Sequence, residues 1–201
     1  MRISTDTTVL VVHNLAVGKG DSPRRTELVE AAYEYVLEHG LAGASLRPIA
    51  DAIGSSTGVL RFLFGSKEGL VQAVLARARD EELTMLAGID PDTGLVEVGA
   101  QVWRWLSAPQ HRRLLVLWVE SYAASLQDPD GPWAGFATQT VADWLGLFAR
   151  AQPAGVRRSA ASRARCTAVL AVLRGAMLDL LATGEAARTS RAVLDALVAS
   201  R

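Results

Sequence analysis

Residues 45–67, SLRPIADAIGSSTGVLRFLFGSK, decide the fold. Ser45 opens a short helix whose apolar residues Leu46, Ile49, Ala50 and Ile53 recur at helical spacing. Pro48 sits in its first turn, where backbone N–H groups lack partners in any case. Gly54 breaks the run. Ser55 or Ser56 caps a second short helix with inward residues Val59, Leu60 and Leu63 or Phe64. Ser66 caps a third, longer one that continues from Lys67 to about Leu86. Two short helices at this spacing can set the second in the major groove of duplex DNA.

Upstream, residues 24–39 place Leu28, Ala32, Tyr35 and Val36 on one face and Glu27, Glu30, Glu34 and Glu38 on the solvated one, with Gly40 as the stop. Downstream, the GIDPDTG break at 88–94 precedes helices expected at about 95–107, 110–127, 133–151, 157–183 and 187–199. The fold class is all-α with about nine helices. A flexible N-terminal extension is expected over 1–20, a helix-turn-helix DNA-binding domain over 21–70, and an effector-binding and dimerisation domain over 71–201.

Bulk properties narrow the function. Of the 201 residues half are hydrophobic and 21% charged, a globular composition. The apolar runs fall short of the roughly 18 residues of a spanning helix, so no membrane span is expected. The N-terminal apolar patch is too short and mixed for a signal peptide. One cysteine, Cys166, cannot form an internal disulfide, which fits a reducing cytoplasm. Net charge is zero. Within 21–70 five basic residues stand against seven acidic ones, so DNA binding has to rest on where the charges sit.

The placement suits that role. Arg47 opens the supporting helix, Arg61 projects from the reading helix, and Lys67 lies in the first turn of the next, where unpaired N–H groups hold phosphates. Ser55, Ser56, Thr57 and Gly58 form a small polar start that can approach a duplex closely.

The stretch from about Arg24 to Leu75 resembles the N-terminal domain of the TetR family of one-component transcriptional regulators. The matching elements are Ser45-Leu46-Arg47, Ile49-Ala50, Gly54 and Phe64-Gly65-Ser66-Lys67-Glu68. Arg61 stands where members often carry Tyr, Phe62 holds the adjoining aromatic or His position, and Ser55 replaces an apolar turn residue. The resemblance implies DNA contacts at Ser45, Arg47, Ser56, Arg61, Phe62 and Lys67, and Arg24, Ser55, Thr57 and Gly58 complete the expected DNA-binding set. It also implies a homodimeric repressor on a palindromic double-stranded operator, released by a small-molecule effector. No enzyme activity, cofactor or metal is expected.

Two competing readings come from the same letters. Gly54-Ser55-Ser56-Thr57-Gly58 matches the G-x-S-x-G nucleophile elbow, but that motif needs a preceding strand and later acid and His partners. His13, His39, His111 and Cys166 show no metal-ligand spacing. The C-terminal half holds five Trp within about 40 residues. They serve as core, or they line a hydrophobic cavity with Trp103, Trp118, Tyr122, Phe136, Thr140 and Trp144 and polar contacts from Glu120 or Gln139. A helical carrier or small enzyme using that cavity is the alternative function. The run CTAVLAVLRGAMLDLLA from Cys166, with Val193, Leu194, Leu197 and Val198 on the last helix, needs burial on several sides and points to a homodimer through the last two helices.

Overall fold

The structure, a computed structural model, describes residues 22–41 and 45–199. The extension expected over 1–20 lies outside them. The described chain is all-helical: α1 (Pro23–His39), α2 (Leu46–Ala52), α3 (Thr57–Phe64), α4 (Lys67–Ala87), α5 (Leu95–Leu106), α6 (Arg112–Gln127), α7 (Phe136–Arg150), α8 (Ala160–Thr183) and α9 (Ala186–Ala199).

Local chemistry sets the N-terminal elements. Ser22 accepts from Arg25 N at 3.2 Å with Pro23 in the first turn of α1, and Gly40 ends that helix at φ 73°. After α2, Gly54 adopts φ 64° and Ser55 N donates to Ala50 O at 2.9 Å, the longer bond of a Schellman turn. Ser56, not Ser55, caps α3 by accepting from Val59 N at 3.2 Å. Ser66 does the same for α4 through Gly69 N. Ser45 occupies the N-cap position of α2 in extended conformation but makes no side-chain cap bond.

Two cores follow. The first gathers Leu28, Ala32, Tyr33 and Val36 of α1, Ile49 and Ala50 of α2, Leu60 and Phe64 of α3, and Leu70 through Ala78 of α4. Leu114 and Leu117 of α6 reach into it. The second joins Leu86, the inner faces of α5, α7, α8 and α9, and Leu115. The two cores divide α4 between them, so one continuous helix serves both halves.

The inward faces differ from the sequence reading in three places. Tyr33 is the buried tyrosine of α1, its hydroxyl donating to Glu81 at 2.9 Å, while Tyr35 stacks on His39. Val59 lies exposed, and Leu60 and Phe64 are the buried pair of α3. On α9, Val193 and Leu197 are buried while Leu194 and Val198 face out, so the helix presents two apolar faces rather than one. Gly99 lies under the inward face: a Cβ there would come within 2.8 Å of the end of the Leu197 side chain, so α5 and α9 pack closely at this point.

α8 starts at Ala160 rather than at about residue 157, and over its length it is more apolar than the sequence reading allowed. Its 24 residues include an 18-residue window of mean hydropathy 1.6, enough by length and composition to cross a membrane. It packs instead against α5, α7 and α9 through Cys166, Val169, Leu170, Leu173 and Met177.

Candidate nucleic-acid interface and effector cavity

The α2–α3–α4 unit exposes the residues that the sequence singled out. Along α3 the positions Gly58, Arg61 and Phe62 are exposed and Thr57 is half-buried, opposite the buried Leu60 and Phe64. Spacing of one, three and four residues puts them on one helical face. Phe62 is 88% exposed, the most exposed large apolar side chain of the described residues. Arg47 and Lys67 are exposed in the first turns of α2 and α4. Arg24 is exposed but pairs with Glu27 at 3.2 Å. Ser56 is committed to its cap, and Ser55 is half-buried with a hydroxyl that makes no hydrogen bond.

The acidic residues of α1 are partly engaged elsewhere. Arg77 of α4 pairs with Glu30 at 2.7 Å and Glu81 at 3.3 Å, and lies 4.7 Å from the centre of the Tyr33 ring. Burial and the Glu81 contact push the Tyr33 phenol well above its usual range. One glycine that the sequence reading passed over fixes this region. A Cβ on Gly69 would lie 2.0 Å from the Phe64 carbonyl oxygen, so α4 can start against the end of α3 only without a side chain there.

Ser56 lies after helix α2 and caps α3, so the strand-to-helix setting of a nucleophile elbow is missing here. His111 stacks on Trp105 at 4.2 Å and its Nδ1 lies 2.8 Å from Trp105 O. Among the described residues no cluster of metal-ligating side chains occurs.

A narrow cavity of about 30 Å³ lies in the C-terminal half. Trp118, Phe136 and Trp144 line it, as three of the expected residues do, together with Trp105, Leu106, Leu114 and Met177. The other expected residues sit elsewhere. Trp103 is core, its indole N–H bonded to Ser190 at 3.0 Å. The Thr140 hydroxyl is turned back to Phe136 O at 2.9 Å. Tyr122 stands behind Trp118, ring centres 5.0 Å apart. Glu120 accepts from Leu41 N at 2.9 Å, tying α6 to the end of α1, and Gln139 donates to Asp143.

The sequence reading missed the charged wall of this cavity, which is formed by Arg79, Glu82 and Arg174. Glu82 is buried and accepts the Trp144 indole N–H; Arg79 pairs with Asp143. Arg174 lies 5.2 Å from the Trp118 ring centre and 5.1 Å from that of Tyr122, and donates to the Tyr122 hydroxyl at 3.3 Å. Burial raises the Glu82 carboxyl above the usual range, outweighing the Trp144 bond and the charges of Arg79 and Arg174 that lower it. Glu82 and Arg79 lie in a helix that reads as an ordinary amphipathic run, so only the packing of α7 and α8 shows that they turn inward.

Two short helices, α2 and α3, joined through the turn at Gly54 and followed by the long α4, expose a polar and aromatic face. With the helical bundle they join, they define a helix-turn-helix protein with an appended all-α domain. Residues 28–74 match the family profile described as bacterial regulatory proteins, tetR family. The chain is 40% identical over 86 residues to the HTH-type transcriptional repressor AcnR of Corynebacterium glutamicum, covering 42% of this chain and 44% of that protein. It thus spans less than half of that relative's length. It is 29% identical over 188 residues to the HTH-type transcriptional regulator BetI of Paraburkholderia phytofirmans, covering 89% and 95% of the two chains. Its fold superimposes with a TM-score of 0.72 on a crystal structure from Rhodococcus sp. assigned to the TetR family, at 18% identity over 89% of this chain and 98% of the other. Residues 28–74 thus carry a TetR-family N-terminal domain, and the chain as a whole shares the fold of the solved TetR-family structure.

Proposed function

We propose that this protein is a homodimeric transcriptional repressor that binds a palindromic DNA operator and is released by a small apolar effector. The observation that carries the DNA reading is the outward face of α3. An almost fully exposed Phe62 beside Arg61 has no role in the subunit's own core, and α2 and α4 present Arg47 and Lys67 from adjacent helix starts. Arg47, Arg61 and Lys67 neutralise phosphates, with Arg24 from the start of α1 and Ser45, Ser55 and Ser56 as further contacts, while Thr57, Gly58 and Phe62 approach base edges.

The dimer reading rests on α8 and α9. Leu178 is 49% exposed, Leu194 46% and Val198 53%, so apolar side chains project from the two last helices after the core is complete. A second copy packing α8 and α9 against their counterparts covers them. The effector reading rests on the cavity, whose walls come from α4, which also builds the reading core, and from α6, which sends Leu114 and Leu117 into that core. A ligand that parts these helices favours a dimer whose reading heads no longer match groove spacing.

Titration of duplex DNA at several salt concentrations tests the contacts. Arg47→Ala and Lys67→Ala each weaken binding and flatten the salt dependence by about one unit; unchanged curves for both would remove them from the interface. A carrier or small enzyme would bind ligand with no salt-sensitive DNA association.

A further inference from the structure

The cavity wall carries an imbalance. Among the described residues, Arg79 Nη1, Trp118 Nε1 and Arg174 Nε and Nη2 are buried and have no hydrogen-bond partner. All three residues line the cavity. Every one of these atoms is a donor. The carboxylate of Glu82 is the acceptor side chain on the same wall, and it already takes the Trp144 N–H. Buried donors left unpaired cost free energy, so four of them on three residues that line one cavity favour an occupant that supplies acceptors.

Charge agrees with the hydrogen-bond count. Arg79 is balanced by Asp143, and Arg174 has the Tyr122 hydroxyl and two aromatic faces but, among the described residues, no carboxylate within ion-pairing distance. Glu82 makes no ion pair with Arg174, whose guanidinium faces that hydroxyl and those rings instead. A cation would meet two guanidiniums and one occupied acceptor. The remaining wall, from Leu106, Leu114, Leu115, Phe136 and Met177, is apolar.

We propose that the effector is a monocarboxylate with an apolar body, its carboxylate held by Arg174 with help from Arg79 and Trp118. This rests on the ligand-response reading above. A planar carboxylate accepts two parallel guanidinium bonds, and Arg174 has two adjacent free donors, Nε and Nη2. At about 30 Å³ the cavity has room for only one or two waters, so the apolar body enters by spreading α6, α7 and α8. Met177, unbranched and flexible, lies on the wall that must yield.

The test uses matched carboxylate, primary amide and ammonium compounds on decyl, 4-phenylbutyl and 2-naphthyl bodies. Binding to the full chain is followed by quenching of Trp fluorescence and by the 15N resonance of arginine Nε. On at least one body the carboxylate binds about tenfold tighter than its amide, and the ammonium binds weakest. Arg174→Met removes the preference, and Glu82→Gln, which takes away the competing carboxyl, keeps or increases it. The proposal is overturned if the ammonium binds tightest, if no carboxylate binds, or if Arg174→Met leaves the carboxylate-to-amide ratio unchanged. The same compounds are then added to the protein–DNA complex. Carboxylates that bind in this order without weakening DNA binding support the site and sink the ligand-response reading. An ammonium compound that binds tightest and releases DNA sinks the site and leaves that reading standing.

Discussion

Helix α3 turns a phenylalanine out, whereas the C-terminal half turns a carboxyl and two guanidiniums in. Both invert the usual sorting of side chains, and each costs stability that the rest of its region has to offset. Around Phe62 the offset is local: the caps of α3 and α4 are satisfied, and Leu60 and Phe64 fill the core beneath. Around Glu82 and Arg174 it is incomplete, since four donors stay unpaired. The first region leaves Arg25 Nε and the Ser55 hydroxyl without partners, against four donors on the cavity wall, and it offers its surface to a partner. The second is unfinished and awaits something inside.

The sharpest way to break the first region is at Gly69. Gly69→Ala sets a methyl against the Phe64 carbonyl and should destabilise the protein by about 4 kcal/mol, read by denaturant unfolding, with loss of DNA binding. A neutral result would mean that α3 and α4 meet less closely than described. Next come two neighbours on α3. Leu60→Ala should cost about 3 kcal/mol because it empties a closed core. Phe62→Ala should change stability by less than about 0.5 kcal/mol while lowering DNA affinity. Equal stability losses for the two would erase the outward–inward distinction.

Glu82→Gln probes the unfinished region. Folding raises this carboxyl above its ordinary value of 4.5, so the folded protein holds the proton more tightly than the unfolded chain. Wild-type stability contributed here is present below the ordinary value and is lost as pH rises through the raised one. The groups facing Glu82 are Trp144, Arg79, Asp143 and Arg174. The variant keeps an acceptor for Trp144 without the buried charge, so its Tm should exceed that of wild type by a few degrees at pH 7.5. The gap should close toward pH 4.5; a gap independent of pH would show that the carboxyl is not the cause. Glu120→Ala should cost about 1 kcal/mol by leaving the Leu41 N–H without its acceptor, and should weaken the tie between α6 and α1. The smallest effect is that of Lys67→Ala, a weaker DNA complex with stability unchanged.

The two regions were also unequally legible. The helix order, the turn at Gly54 and the starts at Ser56 and Ser66 follow from letters close together in the chain, since caps and turns are local chemistry. Which face of each helix points inward was harder. Tyr33 and Tyr35 both fit a helical stripe, and only packing against Arg77 and Glu81 of α4 selects Tyr33. The cavity was least legible. Its aromatic residues could be listed from sequence, yet Trp103 and Trp118 separate only by their distant neighbours, Ser190 for one and Arg174 for the other. Arg79, Glu82 and Arg174 carried no signal at all, because a charged residue inside a helical pattern reads as solvated until its neighbours are placed.

The most direct test of the central claim is the DNA site that the protein selects from a random duplex pool, with the mass of the complex measured alongside. A dimer reading through two α3 helices predicts an inverted repeat with half-sites about one helical turn apart, bound by at least two chains. Recovery of no enriched sequence, or of an unrepeated site bound by a single chain, would contradict it.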